Sequence, residues 1–259
     1  MKTSTKRRTL NQIAVTAATA ACLVPLTTAQ ASAGEAPKGA TSTSSAGTTD
    51  GRPAASASPK AYVAWLEAKA ASGDAGASEV EKQFKALPAE KQEKYLDYIN
   101  DPSHARAFTE ALNGKGEFRA ERANGDVVIE RESDSSASNQ TGGIQSLGAQ
   151  SGSMWATHSV TVKYLGVKAT KVTIKTSYYV RGTDTVKVYP GSAWHQNLIP
   201  GTDLSNGVVD EWISAEPADN AHSQTVWKFE WWTGIEDTGR HRVWADYSGY
   251  KGGYLKVNE

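Results

Sequence analysis

Seven of the chain's eight tryptophans fall at or beyond Trp155. That concentration is the strongest chemical signal in the sequence. Trp231 and Trp232 are adjacent, so on a strand they must face opposite sides of a sheet. Gln224 to Trp232 and Arg240 to Tyr247 both alternate, and the alternation suggests a hairpin with Trp232 opposite Arg240. Glu230 then faces Arg242, and Lys228 faces Trp244. On the other side Trp231 meets His241, Phe229 meets Val243 and Trp227 meets Ala245. This register predicts a polar face carrying Trp232, Trp244, Arg242, Glu230 and Lys228. Tyr179, between Lys175 and Arg181 in alternation, is polar-facing on its own strand. Aromatic rings edged by hydrogen-bonding groups suit stacking on a sugar or seating a protein. We therefore take Trp232, Trp244, Arg242, Glu230 and Tyr179 as candidate ligand-binding residues. The competing reading is that the helical region, a loop or cross-strand packing covers these rings.

Other chemistries find less support. His158, His195, His222 and His241 stand at no His-x-His, His-x3-His or similar spacing, so no metal site is expected. No Gly-x-Ser-x-Gly elbow marks a serine nucleophile. Asp210-Glu211 would alternate faces on a strand, and Glu236-Asp237 sit in the expected hairpin loop, so neither reads as an acid/base pair. Gly249 to Gly253 lacks the spacing of a phosphate loop and reads as a turn before a last strand, Tyr254 to Val257. No catalytic residue, metal or cofactor is assigned, and a hydrolase whose site is invisible to motif reading stays a remote alternative.

The elements that must position these residues form a period-2 region, 154–259. Val160, Val162 and Tyr164 alternate with polar neighbours, as do Val172, Ile174, Thr176, Tyr178 and Val180. Further short strands are read at Val186–Val188, Trp194–Ile199 and Val208–Ile213. About eight strands without a helix give an antiparallel sandwich, Ig-like or barrel-like. The pattern is complete within this region, which is expected to fold on its own.

Residues 59–132 read as a small, mostly helical region plus a hairpin. Ser58 caps a helix that begins at Pro59 and runs to about Ser72. Ser78 with Glu81 reads as a capping box for a second helix with Val80, Phe84 and Leu87 on one face. Pro88 opens a third helix and Pro102 to Leu112 a fourth. Asn124-Gly125 marks a two-residue hairpin turn between Glu117–Arg122 and Asp126–Glu130. The whole is an α+β chain in two parts.

Ala-, Gly- and Ser-rich stretches at 34–58 and 133–153 read as linkers, the first disordered and the second flexible. Residues 1–33 have the three parts of a signal peptide: Lys2, Lys6, Arg7 and Arg8, an apolar run Ile13–Leu26, and small residues at Ala29, Ala31 and Ala33. Arg7-Arg8 fits a twin-arginine signal, whereas Thr9 stands where such signals carry an apolar residue; both export routes stay open. The single cysteine, Cys22, lies in this segment, with Thr19 where a lipoprotein signal carries Leu. The expected product is extracellular, cysteine-free and without an integral membrane segment.

The formal net charge is zero. Residues 59–132 carry eleven basic and fourteen acidic side chains, and residues 153–259 carry eleven of each. Neither region has the basic excess that phosphate neutralisation needs, so a nucleic-acid partner is not expected. The function read from the sequence is a secreted, non-catalytic protein that binds an extracellular or cell-surface glycan or protein through an aromatic-rich sheet face. The alternative is a secreted precursor whose helical pro-segment is removed to release an active β-domain, a toxin or an inhibitor.

Overall fold

The computed structural model describes residues 53–101, 119–137 and 151–257. All belong to one compact unit, Ser45–Glu259. The expected signal peptide, the first linker up to residue 52, the helix at Pro102–Leu112 and residues 138–150 of the second linker lie outside the described residues.

Among the described residues three α-helices come first. In α1, Pro59–Ala71, the Ser58 hydroxyl accepts from the Ala61 amide at 3.2 Å, and Pro59 sits where a missing N–H costs nothing. In α2, Ala75–Lys85, the cap is Asp74, whose carboxylate accepts from the Gly76 and Ala77 amides. Ser78 lies inside that helix. A carboxylate one turn earlier satisfies two orphan amides and also complements the helix dipole, so it displaces the expected serine cap. Helix α3, Ala89–Asn100, begins directly after Pro88.

Ten strands follow among the described residues: β1 Arg119–Arg122, β2 Val127–Ser135, β3 Ser151–Tyr164, β4 Val167–Arg181, β5 Asp184–Asn197, β6 Asp203–Asn206, β7 Asp210–Ile213, β8 Ala221–Glu230, β9 Glu236–Asp246 and β10 Gly249–Val257. They make two antiparallel five-stranded sheets. Sheet A is the meander β1-β2-β3-β4-β5. Sheet B runs β10-β9-β8, with β6 and β7 sharing the far edge of β8. The arrangement is sandwich-like, with helices added.

The hairpin at Asn124 is real, but Arg122 pairs with Val127, so its loop is Ala123 to Asp126 rather than two residues. Ala123 and Asn124 both take positive φ. The Gly249–Gly253 stretch is strand throughout, not a turn. Strand β5 joins two stretches that read as separate in the sequence.

The core explains how the helices belong. Tyr62, Phe84 and Tyr95 are each 0% exposed, and they share one apolar cluster with Tyr164, Trp227 and Leu255 of the two sheets and with Leu198, just past β5. The Tyr62 hydroxyl donates to the Leu198 carbonyl at 2.9 Å, so the Tyr95 hydroxyl, 3.0 Å away, must donate to Tyr62. Tyr98 stacks on Tyr164 and donates to Asp126 at 2.8 Å. A second cluster, with Met154, Ile174, Tyr178, Val180 and Val243, fills the other end of the sandwich.

Strand β2 pairs with β3 along its whole length, from Val127↔Tyr164 to Ser135↔Ala156. The ends of the 133–153 stretch are therefore strand, and the main chain is bonded across it. Expressed alone, residues 154–259 should lack a cooperative thermal melt. They lose the β2 pairing and uncover Tyr164 and Leu198, while residues 53–259 should melt in one transition. A sharp, single transition from 154–259 would overturn this.

Candidate functional site

Strand alternation sends Trp227, Phe229, His241, Val243 and Ala245 into the core and Lys228, Glu230, Arg242 and Trp244 outward. That assignment of faces matches the sequence expectation, but the pairing does not. Lys228 faces Thr238 and Glu230 faces Glu236, so the register is displaced by six residues. An even displacement keeps each side chain on its face while changing every partner. The Trp231 amide bonds the Ile235 carbonyl and the Gly234 amide bonds the Trp231 carbonyl. This closes the loop at residues 231–235, ahead of the Thr233–Gly239 loop expected.

The five candidate residues are consequently dispersed. Trp244 and Arg242 lie side by side on the outer face of sheet B. Glu230 is on the same face but six residues along β8, about 20 Å from the rung of Gln224 and Arg242. There Lys228 lies 3.4 Å from Glu230 and 3.0 Å from Glu236. Trp232 is off the strand: a Cβ on Gly201 would meet Trp232 Cβ at 2.9 Å and Pro53 at 2.8 Å. Trp231 packs against the first apolar cluster and its indole donates to Asp237. Tyr179 faces outward on sheet A, opposite Ser153 and Lys187.

What gathers around Trp244 was only partly foreseen. Trp212 of β7 faces His222 of β8, which faces Trp244 of β9, which faces Gly252 of β10. Trp212 and His222 stack with centroids 4.8 Å apart and 4° between planes; His222 and Trp244 follow at 6.1 Å and 22°. The row ends on Gly252, where a Cβ would meet the Trp244 ring at 2.2 Å, so only glycine admits it. On the next rung Arg242 places its guanidinium 4.8 Å from the Trp212 centroid and 5.5 Å from Tyr254, and donates to Gln224 at 2.9 Å. Burial first, and then the Arg242 charge, push the His222 imidazole below its usual range, which favours the neutral ring in the stack. Trp212 escaped detection because β7 has four residues, too few for a period to show, and His222 because β8 begins at Ala221, ahead of the Gln224 start read from the alternation.

A second constellation lies between the sheets. The Trp227 indole donates to His241 Nδ1 at 3.0 Å, and His241 Nε2 lies 2.8 Å from His158 Nδ1. Indole N–H donates only, so His241 must carry its proton on Nε2, donate it to His158 Nδ1 and leave the His158 proton on Nε2. Burial, then the Arg131 charge, depresses His158 to about 4; burial, then His158 and Arg131, hold His241 well below its usual value. A proton on either ring sets two donors against each other. Among the described residues no group of three His, Cys, Asp or Glu is placed to hold a metal ion. No helix there is long and apolar enough to cross a membrane.

No protein-family model, no curated protein and no solved structure matches this chain.

Two measurements follow. Unfolded His titrates near 6.5, so below that pH the unfolded chain takes up protons the buried pair refuses. Stability, read by chemical denaturation, should be level above pH 6.5 and fall between 6.5 and about 4, with His158 alone contributing roughly 3 kcal/mol. A level profile from pH 6.5 to 5 would contradict the neutral pair. In thermal melts Trp227→Ala should cost roughly 3–5 kcal/mol as a buried aromatic. Trp244→Ala, on a solvent-facing row, should cost roughly 1 kcal/mol; equal losses would make the row structural.

Proposed function

We propose that this is a secreted, non-catalytic binding protein that seats a protein partner on the outer face of sheet B. The observation that supports it is the Trp212–His222–Trp244 row with Arg242 and Tyr254 beside it. Trp, Tyr and Arg are the residues that dominate binding energy at protein interfaces. Here their rotamers are held by mutual stacking, so little side-chain freedom is lost on association. A protein partner suits this row better than a sugar. A pyranose needs an open ring face, and in this row His222 is stacked between Trp212 and Trp244, Trp244 lies over Gly252 and Arg242 covers Trp212. Export rests on the amino-terminal sequence pattern. The helical layer shares a core with both sheets, which leaves the precursor reading without an observation in its favour.

The test uses the full exported chain immobilised and exposed to the extracellular and envelope proteins of the culture that makes it. A partner retained by the wild type should be lost at least tenfold from Trp244→Ala and from Arg242→Ala, with both variants melting close to the wild type. Retention unchanged in both variants would refute the seat on sheet B.

A further inference from the structure

The outer face of sheet A holds a different kind of site. Ser159 and Thr173 point away from the core, since their neighbours His158, Val160, Val172 and Ile174 point into it. Outward residues of a sheet are ordinarily well exposed. Ser159 and Thr173 are 6% and 3% exposed. With Glu132 and Trp194 at the two ends of the same cross-strand rung, they form the floor of a groove of about 510 Å³ that crosses β2, β3, β4 and β5 and is flanked by Asp134 and Lys171. The Ser159 and Thr173 hydroxyls are 2.9 Å apart and bond each other. Lys171 lies 3.0 Å from Glu132. Three inter-strand steps make the groove about 14 Å long.

Trp194 is the counterpart that sheet B lacks. It pairs with Thr173 across the β4–β5 ladder and is 48% exposed. Its indole takes part in none of the ring stacks that engage Trp212 and Trp244. One face of the wall is thus an open aromatic surface, and the rest of the groove is hydroxyl, carboxylate and ammonium. Sugars present just these two needs: an apolar C–H face that stacks on an aromatic ring, and hydroxyls that both donate and accept. The fixed charges are two carboxylates and one ammonium already paired with one of them, which disfavours an anionic ligand.

We infer that this groove binds a neutral oligosaccharide chain, stacked on Trp194 and hydrogen-bonded by Glu132, Asp134 and Lys171. The site is on the opposite sheet from the proposed protein seat and does not depend on it.

The experiment is calorimetric titration of the full chain with hexamers of glucose and of N-acetylglucosamine, with a sulfated polysaccharide as the anionic arm. Saturable binding of at least one neutral hexamer is expected, weakened at least tenfold by Trp194→Ala and by Asp134→Asn. It should be unchanged in Trp244→Ala, which separates this site from the seat on sheet B. Thermal melts of the variants accompany the titrations, and the half-exposed Trp194 should be replaceable without loss of the fold. Failure of both neutral hexamers to bind, binding indifferent to Trp194→Ala, or preference for the sulfated chain would each overturn the assignment.

Discussion

The two sheets are tied through their middle by a chain of three side chains: Trp227 to His241 to His158. With no disulfide among the described residues, this polar tie and the apolar clusters on either side of it hold the sandwich closed. The tie sets its own requirements. The indole fixes one tautomer and that tautomer fixes the next, so both rings must stay neutral. Gly253 is the backbone's concession to it, because a Cβ there would sit 2.5 Å from the His158 ring. Tyr250 lies parallel to His158 at 6.4 Å and completes the enclosure. A buried polar network is stabilising only when its geometry is held, and here β3, β8, β9 and β10 all contribute to holding it.

The helices solve a different problem. A sandwich has open ends, and the end beyond the His pair is wide and apolar, lined by Val162, Tyr164, Leu198 and Phe229. Helices α1 to α3 cover it with Tyr62, Phe84 and Tyr95, whose rings meet at 4.9 to 5.5 Å. Large rings fill the volume with few ordered residues, and the tyrosine hydroxyls satisfy one another and the Leu198 carbonyl. The Lys94–Asp126 and Tyr98–Asp126 contacts then fix α3 to the β1–β2 turn, and they pull the Asp126 carboxyl below its usual range, Lys94 most.

How much of this could be read in advance depended on how local the cause was. The Ser58 cap, the Pro88 helix start and the alternation of β3, β4, β8 and β9 are local, and they are present as read. Register is set by contacts far apart in sequence. A displacement of six residues in the β8–β9 hairpin left the residues that stay on the two strands on their expected faces and changed every partner, because alternation carries parity and nothing else. Trp232 was misplaced for the same reason: once the loop closes at 231–235 it is no longer on a strand. Trp194 was invisible as a site. Val188 faces inward opposite Tyr178 and Ala193 faces inward opposite Ile174, so parity flips between them at the irregular pairing around Pro190 and Gly191. No alternation could be carried through that bulge to show which way Trp194 points. The helical region reads as separable because the 133–153 stretch has the composition of a linker, and the Tyr62 to Leu198 bond that spans it joins residues 136 positions apart.

The two outer faces show that aromatic content is not a single signal. On sheet B the rings spend their faces on one another and on Arg242, and what reaches solvent is a rigid, mixed surface of edges and guanidinium. On sheet A Trp194 stands beside a hydroxyl floor with no ring stacked on it among the described residues. The difference comes from what occupies the neighbouring strand. Opposite Trp244 stand His222 and Gly252, one a ring to stack on and the other a bare backbone to lie over. Opposite Trp194 stands Thr173, a side chain too small and too polar to cover an indole. For these two tryptophans the identity of the cross-strand neighbour decides between cement and an open face. In this fold the same residue type does both, on opposite sides of one core.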